Sequence, residues 1–370
     1  MKIGIMSMQR IINYGSFLQS YGLKKTIENM GHTVEFVDYE VGKPLVSSEL
    51  SVVNNDSKFK KILKLIFSSK YRKTRKNNLE KSKIFFDFYN TFKSDWLPIL
   101  GIKDDYNYLP ELDVLVIGSD EVFNCTQSNS DVGYSPQLFG HDNKSKKLIS
   151  YAASFGSTTL EKLNQYGIVN EIAENLSGFN HISVRDDNSH NIVKKLTNIE
   201  PVDSIDPVLL YDFFEETKDL EIDLSNYVVV YAYADRISDV EAEEIQKFAH
   251  SRGKKTLSIG VKQDFVDLYV KADPFTLLSY IKNADYVVTD TFHGTVFSIK
   301  YQIPFVSFIR ESNKQKLSDL LSKFNLTHRS VNNASDLEKI MDSDFNKEKI
   351  IEYIEKYRND AKMYLENSIN

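Results

Sequence analysis

A histidine at the start of one predicted helix is the strongest candidate in the sequence for acid–base chemistry. Residues 285–290 form an apolar run that predicts a strand, and His293 opens the helix that follows. The positive end of a helix disfavours protonation of an imidazole, so His293 is expected to be neutral and able to accept a proton. The hydroxyl and amide groups of Thr291, Gly294 and Thr295 are expected to bind phosphate oxygens.

An arginine and several other polar side chains follow other predicted strands. Arg185 comes directly after the strand at residues 180–184, and its planar guanidinium suits a carboxylate or a phosphate. Because strand carboxyl ends open into the ligand crevice of doubly wound folds, polar groups there are candidates for ligand binding. Two of the candidates have an alternative role that involves no ligand. Asp120 could cap the next turn, and Gly15 could only form a turn before the helix. The candidates are Asn13, Tyr14, Gly15, Gln19, Ser119, Asp120, Asn124 and Ser154.

Composition and missing motifs exclude several classes of protein. The chain has neither G-x-G-x-x-G nor G-x-x-x-x-G-K-[ST], so ordinary dinucleotide-binding and P-loop functions lose support. A formal net charge of -6 gives no overall attraction for nucleic acid, which we do not expect as a partner. Cys125 is the only cysteine, which excludes an intrachain disulfide and every multi-cysteine metal site. Since the first eight residues lack a signal-peptide core, a cytoplasmic location is expected.

Strands and helices alternate along the chain, which is the pattern of parallel sheets covered by helices. The alternation restarts after Asp206 and Pro207. The sequence therefore predicts an α/β fold of two Rossmann-like domains facing across a cleft, at residues 1–207 and 208–370. A last helix at residues 346–366 is long enough to cross back to the first domain. Strands are predicted at residues 2–7, 33–39, 112–117, 147–152, 180–184, 227–233, 255–259, 285–290 and 304–309. Helices are predicted at residues 15–30, 160–176, 188–196, 239–251, 274–283, 293–301, 314–324 and 346–366.

A basic segment interrupts this alternation and predicts a helical insertion near residues 58–100. Residues 58–76 contain nine lysines and arginines, with four apolar side chains at helical spacing. One interpretation is a helix docked on its own domain with a solvated basic face. The other is a peripheral contact with an anionic membrane surface at the inner face of the membrane.

Taken in order, the quoted segments resemble the polysaccharide pyruvyl transferase family. No single segment is specific, but their order and spacing agree over roughly residues 3–330. The segments are Asn13-Tyr14-Gly15 with Leu18-Gln19 and Tyr21, Gly118-Ser119-Asp120 with Asn124, Tyr151 to Gly156, Val184-Arg185, Asp206-Pro207, and Thr289 to Thr295.

The resemblance implies a glycosyltransferase-B-like fold and a transferase that needs neither a metal nor a cofactor. Phosphoenolpyruvate is the implied co-substrate. Its pyruvyl group would pass to a hydroxyl pair of a sugar in a polysaccharide precursor, giving a ketal and phosphate, as in exopolysaccharide, capsule or cell-envelope synthesis. His293 is the implied catalytic residue and Arg185 the implied donor-binding cation, with Arg310 or Lys316 as a further cation of the C-terminal, donor side. The N-terminal side would orient the acceptor, which is either lipid-linked or nucleotide-linked.

Three residues depart from the family pattern. Glu121 and Phe123 occupy positions where glutamine and tryptophan are expected, and Lys316 replaces an expected arginine. These departures affect the acceptor side and part of the anion site. The alternatives are a nucleotide-sugar-dependent glycosyltransferase of the same fold and a non-catalytic binding protein of glycan assembly.

Overall fold

A computed structural model describes residues 1–46 and 69–370, with a four-stranded parallel sheet at the N-terminal end. Its strand order is β2-β1-β3-β4. Each strand is buried at its carboxyl end, as in β1, where Ile3 and Ile5 are fully buried. The first elements are β1 (Lys2–Met6), α1 (Tyr14–Asn29), β2 (Thr33–Phe36), β3 (Leu112–Ile117) and β4 (Ser145–Ser150).

The predicted insertion lies between β2 and β3 and is helical from its first described residue. It consists of α2 (Ser69–Thr91), a π-helical turn (Phe92–Trp96) and α3 (Leu97–Leu100). Aromatic contacts dock it on α1, with ring centroids 5.2 Å apart for Tyr14 and Phe88 and 5.9 Å apart for Phe17 and Phe92. The membrane contact was predicted for residues 58–76, and the part of this segment before residue 69 lies outside the described residues.

A short parallel sheet follows the first one. It pairs β5 (Ser183–Val184) with β6 (Val202–Asp203). The prediction of one helix at residues 160–176 is wrong, because the chain turns at Gly167 with φ of +69° and forms two helices. The remaining helices of this region are a 3₁₀ turn (Pro136–Phe139), α4 (Leu160–Gln165), α5 (Val169–Ser177) and α6 (Asp187–Thr197).

The C-terminal half contains a six-stranded parallel sheet of order β12-β11-β10-β7-β8-β9. Its strands are β7 (Tyr227–Tyr231), β8 (Lys255–Ile259), β9 (Leu268–Val270), β10 (Tyr286–Thr289), β11 (Phe305–Phe308) and β12 (Ser330–Val331). Its α-helices are α7 (Pro207–Leu210), α8 (Phe214–Thr217), α9 (Asp239–Ser251), α10 (Pro274–Lys282), α11 (Phe292–Lys300), α12 (Lys314–Lys323), α13 (Leu337–Met341) and α14 (Lys347–Ile369). Two 3₁₀ turns (Thr327–Arg329 and Ala334–Asp336) complete it. The predicted α/β class with parallel sheets is confirmed.

The last helix, α14, contacts both halves. Tyr357 donates a hydrogen bond of 3.2 Å to the Lys323 carbonyl, and Tyr364 donates one of 2.7 Å to the Ser150 carbonyl at the end of β4. The domain boundary proposed at residue 207 falls between the strands of the two larger sheets and stays a prediction. Among the described residues, no helix is long and apolar enough to cross a membrane.

Candidate active site

His293 lies where the two large sheets face each other. It belongs to the first turn of α11, whose N-cap Thr291 accepts a hydrogen bond of 2.9 Å from the Gly294 amide through its hydroxyl. Its ring packs against Gly15 in the first turn of α1, so closely that a Cβ at that position would overlap His293 Nδ1. Gly15 therefore permits the close approach of the two helix ends that follow β1 and β10.

A buried carboxylate orients the same imidazole. Asp206 Oδ2 lies 3.6 Å from His293 Nε2, and Arg185 donates a hydrogen bond of 3.1 Å to that oxygen. Arg185 also donates one of 3.0 Å to Asp120 Oδ1, and its guanidinium lies 4.5 Å from the centre of the Phe292 ring. His293 Nε2 makes no hydrogen bond with any side chain or backbone group of the described residues. Asp120, Arg185, Asp206 and His293 therefore form a row in this order, in which each side chain contacts the next.

The charges of this row keep both acids ionised. Burial alone would raise the pKa of Asp206, but His293 and Arg185 lower it below the usual aspartate range. Burial opposes the ionisation of Asp120 in the same way, and Arg185, His293 and Lys316 together lower its pKa. A guanidinium between two carboxylates is itself held in its charged form, so the pKa of Arg185 rises despite burial.

Two of the residues that depart from the family pattern form an ion pair with each other. Lys316 Nζ of α12 lies 2.6 Å from Glu121 Oε1 in the loop after β3. Burial would raise the pKa of Glu121, but Lys316 lowers it. Lys316 also lies 5.8 Å from the Phe292 ring, on which Arg185 packs. The pair joins the N-terminal and C-terminal halves beside His293.

A cavity of about 320 Å³ opens next to the imidazole. Its wall includes Tyr231 and Tyr233 from the strand end of β7, and Phe85 and Phe88 from α2. Most of this lining is apolar, which excludes water and strengthens any charge interaction inside. Asn13, Tyr14, Gly15 and Thr291 also line this cavity, so the structure brings these predicted residues together with His293.

Several other predicted residues lie within the protein and hold its loops. Gln19 accepts a hydrogen bond of 2.7 Å from the Ser119 hydroxyl, and both side chains are fully buried. Asn124 donates one of 2.7 Å to Glu121 Oε2. Ser154 accepts one of 2.9 Å from the Gly156 amide. Gln19 lies in α1 and the other three residues lie in the loops after β3 and β4, and none of the four lines the His293 cavity.

On the C-terminal side, two of the predicted binding residues have internal partners. Thr295 exchanges a hydrogen bond of 2.7 Å with Ser307. Arg310 makes a bidentate pair with Glu241, at 2.7 Å and 2.9 Å. Lys316 lies near Arg185 and Phe292, whereas Arg310 is paired with Glu241, and which of the two cations binds the donor stays a prediction.

Asp206 is the site residue that sequence reasoning missed. An aspartate before a proline predicts a helix N-cap, and Asp206 Oδ1 does accept a hydrogen bond of 3.0 Å from the Val208 amide. Its second oxygen, Oδ2, contacts Arg185 and His293, and the Asp-Pro pair does not predict these contacts. Within residues 1–46 and 69–370, no group of three His, Cys, Asp or Glu side chains is placed to hold a metal ion.

Two parallel sheets covered by helices, with His293 between them, define a protein of the glycosyltransferase-B fold class. Solved structures of similar fold include a Listeria monocytogenes protein described as a UDP-N-acetylglucosamine 2-epimerase, 10% identical, with a TM-score of 0.50 and coverage of 96% of this chain and 90% of that one. The Neisseria meningitidis UDP-GlcNAc 2-epimerase is 9% identical, with a TM-score of 0.49 and coverage of 99% of both chains. A Thermobaculum terrenum O-GlcNAc transferase mutant is 11% identical, with a TM-score of 0.42 and coverage of 99% of this chain and 66% of that one.

The family follows from the sequence itself. A sequence model of the polysaccharide pyruvyl transferase family matches residues 13–312. The chain therefore belongs to the polysaccharide pyruvyl transferase family and is a transferase of polysaccharide biosynthesis. No curated protein matches the sequence.

Proposed function

We propose that this protein transfers the pyruvyl group of phosphoenolpyruvate to two hydroxyls of one sugar in a polysaccharide precursor. The observation that supports this most is the arrangement at His293, whose imidazole Nε2 lies 3.6 Å from the buried carboxylate of Asp206, which in turn accepts a hydrogen bond from Arg185. The reaction needs a group that moves protons and cations that hold a carboxylate and a phosphate.

The proposed reaction is an addition followed by a substitution at the same carbon, in which the second hydroxyl replaces the phosphate. A proton goes to the methylene carbon of the enol ester, and the first sugar hydroxyl bonds to the neighbouring carbon. The second hydroxyl then bonds to that carbon, the bond to the phosphate oxygen breaks, and the ketal and phosphate leave. His293 carries the proton released by each hydroxyl, one of which ends on the methyl group and the other on phosphate.

Arg185 and Lys316 are the proposed holders of the donor. Arg185 is paired with both Asp120 and Asp206, and Lys316 is paired with Glu121, so the donor's anionic groups would compete with these carboxylates. A guanidinium binds a carboxylate with two parallel hydrogen bonds, whereas an ammonium acts as a point charge suited to phosphate. We assign the carboxylate of the donor to Arg185 and its phosphate to Lys316.

Asp206 is the proposed positioning residue of the imidazole. One of its oxygens contacts His293 and Arg185, and the other accepts a hydrogen bond from the Val208 amide. A carboxylate at this place stabilises an imidazolium that forms during turnover, as in other acid–base sites where an acid orients a histidine.

The test is phosphate release from phosphoenolpyruvate with a panel of galactose-, mannose- and glucose-type acceptors, in free, lipid-linked and nucleotide-linked form. Release that depends on the acceptor supports the proposal, and His293→Ala is expected to remove it. His141→Ala is the control, because His141 lies on the surface with 55% of its side chain exposed. Normal turnover in His293→Ala would exclude this histidine from the mechanism. Thermal stabilisation by uridine nucleotides but not by phosphoenolpyruvate would point to a nucleotide-sugar enzyme instead.

A further inference from the structure

Tyr233 lies two residues beyond the end of β7 and lines the same cavity as His293. The residue is 50% exposed, and the centre of its ring lies 5.2 Å from the guanidinium carbon of Arg236. Among the residues that the structure describes, no group makes a hydrogen bond with the Tyr233 hydroxyl. The reaction proposed above gives this phenol no role, so its hydroxyl is available to a ligand.

Two buried side chains hold the backbone of Tyr233. Its amide donates a hydrogen bond of 3.0 Å to Asp290 Oδ1, and its carbonyl accepts one of 3.3 Å from the Gln263 side chain. Asp290 is fully buried, and Gln263 is buried as well. Because the backbone is already fixed on both sides, a ligand that binds the phenol needs to order only the side chain.

Asp290 also connects Tyr233 to two other groups of the proposed site. It lies three residues before His293, and its carbonyl accepts a hydrogen bond of 2.7 Å from the Asn313 side chain. Asn313 is the N-cap of α12, whose first turn contains Lys316. One buried residue thus connects the three segments that carry the phenol, the imidazole and the ammonium.

The charges that act on the phenol are those of the proposed donor site. Burial in the cleft has the largest effect and raises the pKa of Tyr233, Lys316 lowers this pKa, and the carboxylates of Asp120 and Glu121 raise it. The pKa lies above the ordinary tyrosine value as a result. The phenol therefore keeps its proton at neutral pH and can donate a hydrogen bond to an anion.

We propose that the Tyr233 phenol donates a hydrogen bond to the phosphate group of phosphoenolpyruvate and is a further catalytic residue of the reaction. This inference rests on the proposed function, which assigns the phosphate to Lys316. Negative charge grows on the phosphate as its bond to the substrate carbon breaks, and a hydrogen-bond donor that is fixed in advance stabilises this charge. The phenol keeps its own proton throughout, so the proton balance of the reaction does not change.

The first test is the binding of inorganic phosphate, measured by phosphorus NMR without any acceptor. Tyr233→Phe removes the hydroxyl but keeps the ring and the backbone hydrogen bonds, so it is expected to melt at the wild-type temperature. Its dissociation constant for phosphate is expected to be about tenfold higher, the order expected for the loss of one hydrogen bond to a charged group. Tyr286→Phe is the matched control, because Tyr286 begins the adjacent strand β10 at the end away from His293.

The second test is turnover. At saturating phosphoenolpyruvate, Tyr233→Phe is expected to lower kcat by about 30-fold and to leave the KM of the acceptor unchanged. Wild-type phosphate affinity or wild-type kcat in Tyr233→Phe would overturn the inference, and so would a wild-type protein that does not bind phosphate. A raised acceptor KM with unchanged phosphate affinity would overturn it as well, since the phenol would then contact the acceptor.

The two tests separate this inference from the proposed function. A wild-type protein that releases no phosphate from phosphoenolpyruvate with any acceptor would count against the proposed function. Weaker binding of inorganic phosphate by Tyr233→Phe would still support the contact between the phenol and a phosphate group.

Discussion

Gly15 determines how closely the first turns of α1 and α11 approach. In a helix, alanine is favoured over glycine by about 1 kcal/mol, so propensity alone would make a Gly15→Ala variant more stable. The His293 ring occupies the space that the added methyl needs, and overpacking typically costs about 1–3 kcal/mol. The steric cost therefore equals or exceeds the gain in propensity.

We predict that Gly15→Ala displaces the imidazole and lowers acceptor-dependent phosphate release by about 100-fold, since small displacements of catalytic groups have effects of that order. Gly178→Ala is the control. Gly178 has φ of -77° at the end of α5, and an added Cβ would come no closer than 3.2 Å to another atom. Wild-type turnover in Gly15→Ala would show that His293 need not lie against α1.

Asp206 makes stability depend on pH in a defined direction. Burial would raise its pKa, but His293 and Arg185 lower it, so the folded state favours the ionised form. A carboxylate whose pKa is lowered in the folded state contributes stability at pH values above the usual aspartate range. This stability is lost as the pH falls through that range to the lowered pKa. We expect the wild-type protein to lose thermal stability progressively below about pH 5.

The Asp206→Asn variant is expected to be less stable at pH 7, and to lose less of its remaining stability on acidification. Melting curves between about pH 2 and pH 7 measure both effects, because the loss begins near pH 5 and continues down to the lowered pKa. Asp142→Asn is the control, because 69% of the Asp142 side chain is exposed. A pH dependence that is unchanged in Asp206→Asn would assign the acid sensitivity to other carboxylates.

Between elements, the ion pair of Glu121 and Lys316 links the loop after β3 to α12. The expected family pattern has glutamine at the first position, which cannot neutralise the cation. In Glu121→Gln the ammonium of Lys316 would lose its partner and become free for an anionic donor. Leaving a partly buried charge unpaired typically costs about 1–3 kcal/mol.

Stability and donor affinity should therefore change in opposite directions. We predict that Glu121→Gln lowers the free energy of unfolding by about 1–3 kcal/mol and lowers the KM for phosphoenolpyruvate by about fivefold. Glu311→Gln is the control, because Glu311 pairs with Lys314 nearby and is 92% exposed. A reduced stability with an unchanged KM would remove Lys316 from the donor site.

The sequence predicted most elements because their apolar periodicity is strong. The helix at residues 239–251 and the strands at 112–117 and 255–259 agree with the structure residue for residue. Short elements such as β9 and β12 were not predicted, because a segment of two or three residues is too short to show a periodicity. The helix break at Gly167 was not predicted, because the sequence does not show whether a glycine inside a helical pattern has a positive φ.

The candidate site was predictable only in part. His293 and Arg185 were predicted because Arg185 directly follows a strand and His293 opens the helix after one, and the fold brings strand ends together. The same rule also selected Gln19 and Ser119, whose hydrogen bond lies inside the N-terminal half. A strand end gives the position of a side chain along the chain but not its direction. The contact of Asp206 with His293 joins residues 87 positions apart and has no local signal.

On the scale of the whole molecule, the two halves share one continuous apolar core. It includes Ile3 and Phe17 of the N-terminal half and Val229 and Leu277 of the C-terminal half. The final helix extends this core, since its Leu365 is fully buried within the same cluster. The halves are therefore expected to unfold together rather than one after the other.

The single tryptophan makes this expectation measurable, because Trp96 is buried in the N-terminal half whereas circular dichroism reports helices from both halves. We predict that the two signals follow one denaturation curve in urea. Leu365→Ala should shift both signals together and lower the free energy of unfolding by about 2–5 kcal/mol, as expected for a large-to-small change in a core. Met363→Ala should shift neither, because Met363 is 59% exposed on the same helix. A fluorescence transition that separates from the dichroism transition, in either the wild type or Leu365→Ala, would show that the shared core does not couple the two halves.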